Sequence, residues 1–172
     1  MAKIKLHQLT QDFYDEHSHL QEVEDKKRDG TFSNKGRGYG ILMVKVKGYK
    51  FAIPLRSKMK HKENFTTKIY KENGQNLRKG LDYSKAVIIT DERFVSLTSF
   101  KIEQDEFLKI VKAENHIIQA FEKYVDRYVK AYNAGDSNIL KRYRYSTLKN
   151  YHTELGCVSP TVTETVSAPT NP

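Results

Sequence analysis

This sequence of 172 residues is poor in cysteine and has no long apolar run. Its single cysteine, Cys157, excludes an internal disulfide. No apolar stretch approaches the roughly 18 residues of a membrane-spanning helix. The first residues alternate polar and apolar side chains and lack the continuous apolar region of a secretion signal. These absences predict a protein of a bacterial-type cytoplasm that has no membrane partner.

The sequence also lacks the residue patterns of the commonest catalytic sites. It contains no C-x-x-C or H-E-x-x-H metal motif, and the basic middle segment has no carboxylate cluster. The segment Gly36-Arg-Gly-Tyr-Gly40 is rich in glycine but does not have the spacing of a phosphate-binding P-loop. No G-x-S-x-G elbow of a serine hydrolase is present. We therefore expect neither a bound metal nor a cofactor.

Positive charge, in contrast, is abundant and concentrated in one part of the chain. The net charge is +9, and residues 31–102 alone hold 16 Lys and Arg against 5 Asp and Glu. A localised basic field predicts a polyanionic partner, since cations that contact phosphates release counterions. The alternative is a solvated basic surface that only aids solubility.

Hydrophobic patterning predicts an α+β fold. Six segments have strand patterns: 3–9, 39–47, 50–55, 65–71, 84–90 and 94–98. Three segments have helical patterns: Thr10 to about Lys27, 104 to about 132, and a shorter one from Asp136 or Ser137 to about Leu155. Because several strands follow one another without helical crossovers, we expect a twisted antiparallel sheet or half-barrel packed with helices. Residues 1–156 would form one domain, and the Thr-, Ser- and Pro-rich tail 157–172 would be disordered.

The most informative segment lies at the end of a predicted strand. The apolar run Phe51 to Leu55 is followed by cations around one hydroxyl and one imidazole: Arg56, Ser57, Lys58, Lys60, His61 and Lys62. RNA carries its own nucleophile, the 2′-hydroxyl, so its cleavage needs only a base, an acid and cations that stabilise the phosphorane. This segment offers all three without a metal.

Each residue type in this segment fits a step of that chemistry. His61 is suited to be base or acid near neutral pH. Arg56 can clamp a phosphate with two hydrogen bonds, and Lys58, Lys60 and Lys62 can act as point charges. Crowded lysines depress one another's pKa, so one of them could donate a proton. Alternatively, the segment is a solvated loop in which Ser57 only bonds local backbone.

Two blocks of the sequence resemble a known family. The hairpin Tyr39 to Leu55 with the following Arg-Ser-Lys-Met-Lys-His-Lys62, and Gly80-Leu-Asp-Tyr-Ser-Lys-Ala-Val-Ile-Ile89, resemble the ToxN/AbiQ family of type III toxin–antitoxin endoribonucleases, in its TenpN-like branch. The resemblance spans roughly residues 3–150. It implies a Kid/MazF-like fold and metal-independent RNA cleavage that leaves a 2′,3′-cyclic phosphate and a 5′-hydroxyl.

The same resemblance implies partners and a biological role. It implies inhibition by a small repetitive antitoxin RNA, often a pseudoknot, which the toxin cuts from its precursor and holds in a closed toxin–RNA hetero-oligomer. Cellular or phage RNA would be the substrate, and the outcome would be growth arrest and abortive phage infection.

The resemblance assigns roles to particular residues. Ser57 matches the active-site serine of the family, and Arg56 stands where threonine is usual, which replaces a hydroxyl with a phosphate clamp. The lysine expected two places after the serine falls on Met59, so Lys58 or Lys60 would supply its charge, or His61 would take over the acid–base role. An upstream lysine that lines the site corresponds to Lys35, with Arg37 as the alternative.

A second basic region favours RNA contacts outside the reaction centre. The block Lys141-Arg-Tyr-Arg-Tyr-Ser146 interleaves cations and tyrosines, which suits backbone contacts and base stacking. It could equally be a helix with a tyrosine core stripe and a charged outer face. The predicted RNA-binding residues are Arg37, Tyr39, Lys62, Lys85, Arg142 and Arg144.

Three hypotheses follow from the sequence. The first is an endoribonuclease toxin held by antitoxin RNA. The second is a non-catalytic RNA- or DNA-binding module that uses the same basic face. A third, weaker one is a MazF-like toxin inhibited by a protein.

Overall fold

The computed structural model describes residues 4–23 and 40–160, and the account below concerns these residues. These residues form six strands, four α-helices and four short 3₁₀ turns. The strands are β1 Leu6–His7, β2 Ile41–Val46, β3 Tyr49–Met59, β4 Asn64–Glu72, β5 Gln75–Asp82 and β6 Val87–Ile88. The helices are α1 Gln11–Glu16, α2 Gln104–Lys112, α3 Glu114–Ala134 and α4 Ser137–Leu140. Within these residues no helix has the length and apolar character to cross a membrane.

All strand pairs of the sheet are antiparallel. The strand order is β1-β2-β3-β5-β4, and β6 pairs with the first part of β3. The order runs from one edge to the other without closing, so the sheet is open. The predicted α+β class with an antiparallel sheet and helices is thus confirmed.

The predicted hairpin of the first long strands is present, but β3 is longer than expected. Lys47 and Gly48 both have positive φ at its turn, which is typical of a tight hairpin. Strand β3 pairs with β6 at Phe51 and Ala52, and from Leu55 to Met59 it pairs with β5. The prediction that the strand stops at Leu55 is therefore wrong, and Arg56 and Ser57 lie within the sheet.

The region after residue 73 differs most from the prediction. The turn at Asn73-Gly74 leads into β5, which the polar, glycine-containing sequence of residues 75–82 did not reveal. Of the predicted strand 84–90, only Val87 and Ile88 form a strand, β6, after a 3₁₀ turn at Tyr83–Lys85. Of the predicted strand 94–98, only Val95 pairs, in a single bridge to Leu9.

The helical predictions hold in part. Helix α1 ends at Glu16, and residues 24–27 of the longer predicted helix lie outside the described residues. The long C-terminal helix is divided at Ala113 into α2 and α3. The last predicted helix is reduced to α4, which Asp136 caps as expected, and two 3₁₀ turns, Lys141–Tyr143 and Thr147–Asn150.

The first residues of the predicted tail contact α3. The backbone N–H of Val158 donates to the side-chain oxygen of Asn133 at 2.8 Å. Disorder is predicted for residues 157–172, of which 157–160 are described and 161–172 lie outside the described residues.

The core lies between the sheet and α3. Phe51, Ala52 and Ile53 of β3 are fully buried, and the ring of Phe51 packs edge-on against Phe121 of α3 at 5.1 Å. Burial of each large apolar side chain contributes roughly 1.5–3 kcal/mol. The apolar half of β3 is therefore firmly anchored, and its continuation from Arg56 to Met59 projects from this anchored half.

Candidate functional site

The candidate site is built around an irregularity of the sheet at Gly80. This residue pairs with Arg56 of β3 on one side and with Thr66 of β4 on the other, and beyond it each of these strands carries one extra residue, a β-bulge. Gly80 itself has φ of +151°, and a Cβ there would lie 1.9 Å from the carbonyl oxygen of Phe65. Only glycine therefore fits at this point.

Strand register then brings a carboxylate to the cationic strand. Arg56 lies opposite Gly80, so its diagonal neighbour on the same face of the sheet is Asp82. The Nη1 atom of Arg56 donates to Oδ2 of Asp82 at 2.6 Å. Asp82 is completely buried, whereas the side chain of Arg56 keeps 27% of its surface exposed. The guanidinium is thus fixed by Asp82, while part of the Arg56 side chain stays accessible to solvent.

His61 contacts the same carboxylate oxygen. Its Nε2 atom lies 3.2 Å from Oδ2 of Asp82, and the side chain is 38% exposed. Asn64, which lies opposite Asp82 in the β4–β5 pair, donates from Nδ2 to the backbone oxygen of His61 at 2.7 Å. The loop between β3 and β4 is thereby held so that the imidazole lies over Asp82.

Ser84 occupies the second oxygen of Asp82. Both its backbone N–H and its hydroxyl donate to Oδ1, at 2.9 Å and 2.7 Å. Asp82 is in this way the N-cap of the 3₁₀ turn Tyr83–Lys85. Both carboxylate oxygens therefore accept hydrogen bonds, which is what a buried charge requires.

Asp82 is held in its charged form. Burial by itself raises the pKa of Asp82, but the hydrogen bond and charge of His61, followed by the hydrogen bonds of Ser84 and Arg56, outweigh burial and lower the pKa below its usual value. At neutral pH the site therefore contains a buried anion beside a guanidinium and an imidazole.

The two ring nitrogens of His61 have different surroundings. Nε2 contacts Asp82, and Nδ1 is buried and has no hydrogen-bond partner among the described residues. A proton-transfer role would require the ring to turn or its contact with Asp82 to open.

Ser57 lies beside this cluster and lines a cavity with Arg56. The cavity has a volume of about 320 Å³. Its lining residues are Leu55, Arg56, Ser57, Lys79, Gly80, Ile102, Glu103 and Glu106. Arg56 is the predicted site residue that both contacts Asp82 and borders the cavity.

The other cations of the segment are separated from this centre. Lys58, with a positive φ in the bulge, pairs with Glu72 at 2.9 Å, and this contact raises its pKa. The idea that crowding lowers a lysine pKa is therefore wrong for Lys58. Lys60 and Lys62 are exposed, whereas Met59, which lies between Lys58 and Lys60, is buried.

The predicted RNA-binding residues differ in their exposure. Lys85 is only 14% exposed and donates to Glu22 and to the backbone oxygen of Tyr145, so it links distant parts of the chain. Arg142 and Arg144 are exposed, and the guanidinium of Arg144 lies 4.7 Å from the centre of the Tyr145 ring.

Two interpretations of the block 141–146 were made from the sequence, a base-stacking surface and a tyrosine core stripe, and each of its two tyrosines fits one of them. Tyr143 is buried and donates to the backbone oxygen of Tyr124, whereas Tyr145 is 59% exposed. Lys35, Arg37 and Tyr39 lie outside the described residues.

Residues after α4 contact the turn that carries Ser84. Thr147 is fully buried, and its hydroxyl is within hydrogen-bonding distance of the backbone oxygens of Ala86 and Ser84. Ser146 accepts a hydrogen bond from the hydroxyl of Tyr124 at 2.9 Å. These contacts fix the turn that carries Ser84 and hence the orientation of Asp82.

Sequence reasoning missed Asp82, Ser84, Lys79 and Glu106. For Asp82 a signal existed, because Asp-Tyr-Ser has the spacing of an Asx turn and lies in one of the two blocks that carry the family resemblance. Glu106 had no such signal, since it appears as one of several acidic residues at the start of a helix.

No protein-family model, curated protein or solved structure matches this chain. Among residues 4–23 and 40–160, no three His, Cys, Asp or Glu side chains come together as a metal-ligand set.

Proposed function

We propose that this protein is an endoribonuclease that cleaves RNA through attack of the 2′-hydroxyl, without a metal. The observation that carries this proposal is the attachment of Arg56 and His61 to one buried, charged Asp82, in the most basic part of the chain. A phosphate-binding guanidinium and an imidazole are the two groups that such a reaction needs most.

The proposed reaction assigns one role to each group. A base removes the proton of the 2′-hydroxyl, the oxygen attacks the adjacent phosphorus, and the bond to the 5′-oxygen breaks as that oxygen takes up a proton. The products are a 2′,3′-cyclic phosphate and a 5′-hydroxyl. His61 would transfer a proton once its ring turns from Asp82, and Arg56 and the hydroxyl of Ser57 would hold the phosphate.

Asp82 would act as a positioning residue in this scheme. Because it is buried beneath Arg56 and His61, it has no access to RNA and acts through the two side chains that it holds. Exposed Lys60 and Lys62 would add positive charge for the neighbouring phosphates.

The biological assignment is part of the same proposal. The resemblance of the sequence to the ToxN/AbiQ family supports a type III toxin whose open sheet is a Kid/MazF-like half-barrel. The partner would be a repetitive small antitoxin RNA, which the protein processes and which holds it inactive in a closed toxin–RNA hetero-oligomer. Cellular or phage RNA in a bacterial cytoplasm would be the target.

One observation favours a second candidate function, a non-catalytic RNA- or DNA-binding module. With Nε2 on Asp82 and Nδ1 buried, His61 presents no free nitrogen to a ligand. Under this alternative, Arg56 and the exposed lysines bind phosphates, and His61 only completes the support of Asp82.

A cleavage assay with end mapping separates the two functions. The purified full chain is incubated with total RNA in EDTA, and new 5′-hydroxyl ends are mapped. We expect discrete cuts with 2′,3′-cyclic phosphate ends, and we expect His61→Asn and Arg56→Ala to reduce the rate at least 100-fold. If the wild type binds RNA but leaves it intact, the endoribonuclease proposal is wrong.

Matched variants show whether the loss is specific. His19→Asn and Ser99→Ala alter exposed residues outside the proposed site and should cleave like the wild type, whereas Ser57→Ala should not. RNA affinity of His61→Asn, measured by fluorescence anisotropy, should stay within about threefold of wild type. If His61→Asn and Ser57→Ala both cleave normally, the assignment of the site fails.

A further inference from the structure

The cavity beside Arg56 contains a feature that the proposed cleavage chemistry does not require. Its walls combine apolar side chains, Leu55 and Ile102, with two cations, Arg56 and Lys79, and two carboxylates, the exposed Glu103 and the buried Glu106. At about 320 Å³ it has the size of a small-ligand site and not of an extended phosphate groove. Since Arg56 and Ser57 form part of its wall, whatever fills it lies next to the phosphate proposed to bind there.

Glu106 is a charged side chain in a buried position. It is only 7% exposed, in the first turn of α2 where that helix crosses β4. One oxygen, Oε2, accepts a hydrogen bond from the hydroxyl of buried Thr67. Burial of a carboxylate costs several kcal/mol unless it is compensated, so its presence at the wall of a cavity points to a role in binding.

The second oxygen of Glu106 keeps its capacity to accept a hydrogen bond. Oε1 lies 3.9 Å from Nζ of Lys79, which balances charge but is too long for a direct hydrogen bond. Lys109 donates to the backbone oxygen of Thr67 at 2.6 Å, which fixes the strand behind the carboxylate. The cavity therefore offers an acceptor and a cationic donor side by side between apolar walls.

This combination matches the edge of a nucleobase. The apolar walls suit the flat faces of the ring, and the carboxylate accepts from an amino group while the lysine donates to a neighbouring ring nitrogen or carbonyl. Adenine, cytosine and guanine carry an amino group. Uracil does not, and its single N–H lies between two carbonyl oxygens that a carboxylate repels.

We propose that this cavity binds one base of the RNA next to the phosphate on Arg56, and that Glu106 and Lys79 select an amino-bearing base over uracil. This inference rests on the proposed RNA-cleaving function for its position in the substrate. Under this inference, the cavity determines which RNA sequences the protein prefers.

The test measures preference and not only activity. Short oligoribonucleotides with one scissile site, differing only in the flanking base, are compared by kcat/KM. We expect an amino-bearing base to be preferred over uracil at least 10-fold at one flanking position. Glu106→Gln should reduce that ratio at least fivefold, because an amide both donates and accepts. Glu122→Gln, an exposed change on α3, should keep the ratio.

A binding arm separates failure of this inference from failure of the proposed nuclease. If the wild type does not cleave RNA, affinities for oligo(A), oligo(C) and oligo(U) are measured by fluorescence anisotropy on the same variants. Tighter binding of oligo(A) or oligo(C), reduced in Glu106→Gln, supports the base pocket without the nuclease. If the wild type cleaves and binds uracil-containing RNA as well as RNA with an amino-bearing base, the base-pocket inference is wrong.

A second variant covers the case in which Glu106→Gln does not fold, as judged by circular dichroism. Lys79→Met keeps the length of the side chain and removes the donor, and it should also reduce the preference at least fivefold. An unchanged preference in Lys79→Met, or in a folded Glu106→Gln, refutes the assignment.

Discussion

Replacement of Asp82 by asparagine tests the centre of the proposed site most directly. The amide keeps the shape of the side chain and can still accept the hydrogen bonds of Ser84. What is lost is the negative charge, together with the acceptor at the Oδ2 position that Arg56 and His61 contact. The change therefore isolates the electrostatic role of Asp82 from its role as the cap of the following turn.

The structure sets the size of the expected loss. The charge-assisted hydrogen bond from Arg56 contributes roughly 1.5–3 kcal/mol. The contact with His61 adds less than about 1 kcal/mol, because that side chain is 38% exposed and solvent screens the contact. Arg56 itself keeps access to water, which limits the penalty of losing its charged partner. We expect Asp82→Asn to lower the free energy of unfolding by about 2–3 kcal/mol at pH 7.

The loss should depend on pH in a direction that the lowered pKa of Asp82 fixes. A carboxyl whose pKa is lower in the folded than in the unfolded protein contributes stability above its unfolded pKa, about 3.9, and loses it as the pH falls through the folded pKa. The difference between wild type and Asp82→Asn should be full at pH 7 and shrink progressively below about pH 4.

Urea unfolding followed by circular dichroism at pH 7 and at several acidic values measures this difference. Asp126→Asn is the control, since Asp126 pairs with Lys47 at 2.5 Å but is 40% exposed, so its loss should stay below about 1 kcal/mol. A difference below about 0.5 kcal/mol for Asp82→Asn at pH 7, or one that does not shrink in acid, would refute the conclusion that Asp82 is ionised and stabilises the fold through its contacts with Arg56 and His61.

Three further changes have defined outcomes. Gly80→Ala places a Cβ against the backbone oxygen of Phe65 at a φ of +151°, so we expect a loss of about 3 kcal/mol and a melting temperature lower by roughly 6–12 °C, measured by calorimetry. Thr147→Val removes a buried hydroxyl from the backbone oxygen of Ala86, and urea unfolding should show a loss of about 1–3 kcal/mol. Lys58→Ala breaks only an exposed pair, so both the urea midpoint and the rate of RNA cleavage should stay as in the wild type; a large loss of cleavage would contradict the separation of Lys58 from the site.

Features encoded locally could be predicted from the sequence. The hairpin of β2 and β3 has a glycine turn between two apolar runs, and α3 has a continuous apolar face, so both were expected. Strand β5 could not be found in this way. It alternates weakly, contains Gly80, and is defined by pairing with strands on both sides, which is a tertiary property.

The residues of the candidate site show the same contrast between local and tertiary features. Arg56, Ser57 and His61 could be chosen from the sequence because they are close together in an unusual basic segment. Asp82 could not be chosen, since it becomes the partner of Arg56, 26 residues away, only through the register that sets Arg56 opposite Gly80. A slip of one residue in that register would turn Asp82 to the other face of the sheet.

The same register gives a physical reason for the pairing of Arg56 with Asp82. A guanidinium within a sheet needs an opposite charge. Asp82 supplies it from a completely buried position on the neighbouring strand. Gly80 is needed for a different reason, because a Cβ at this position would clash with the backbone of Phe65 on β4. The two charged residues therefore form one unit, in which threonine at position 56 would leave the carboxylate with only His61 and Ser84 as hydrogen-bond partners among the described residues.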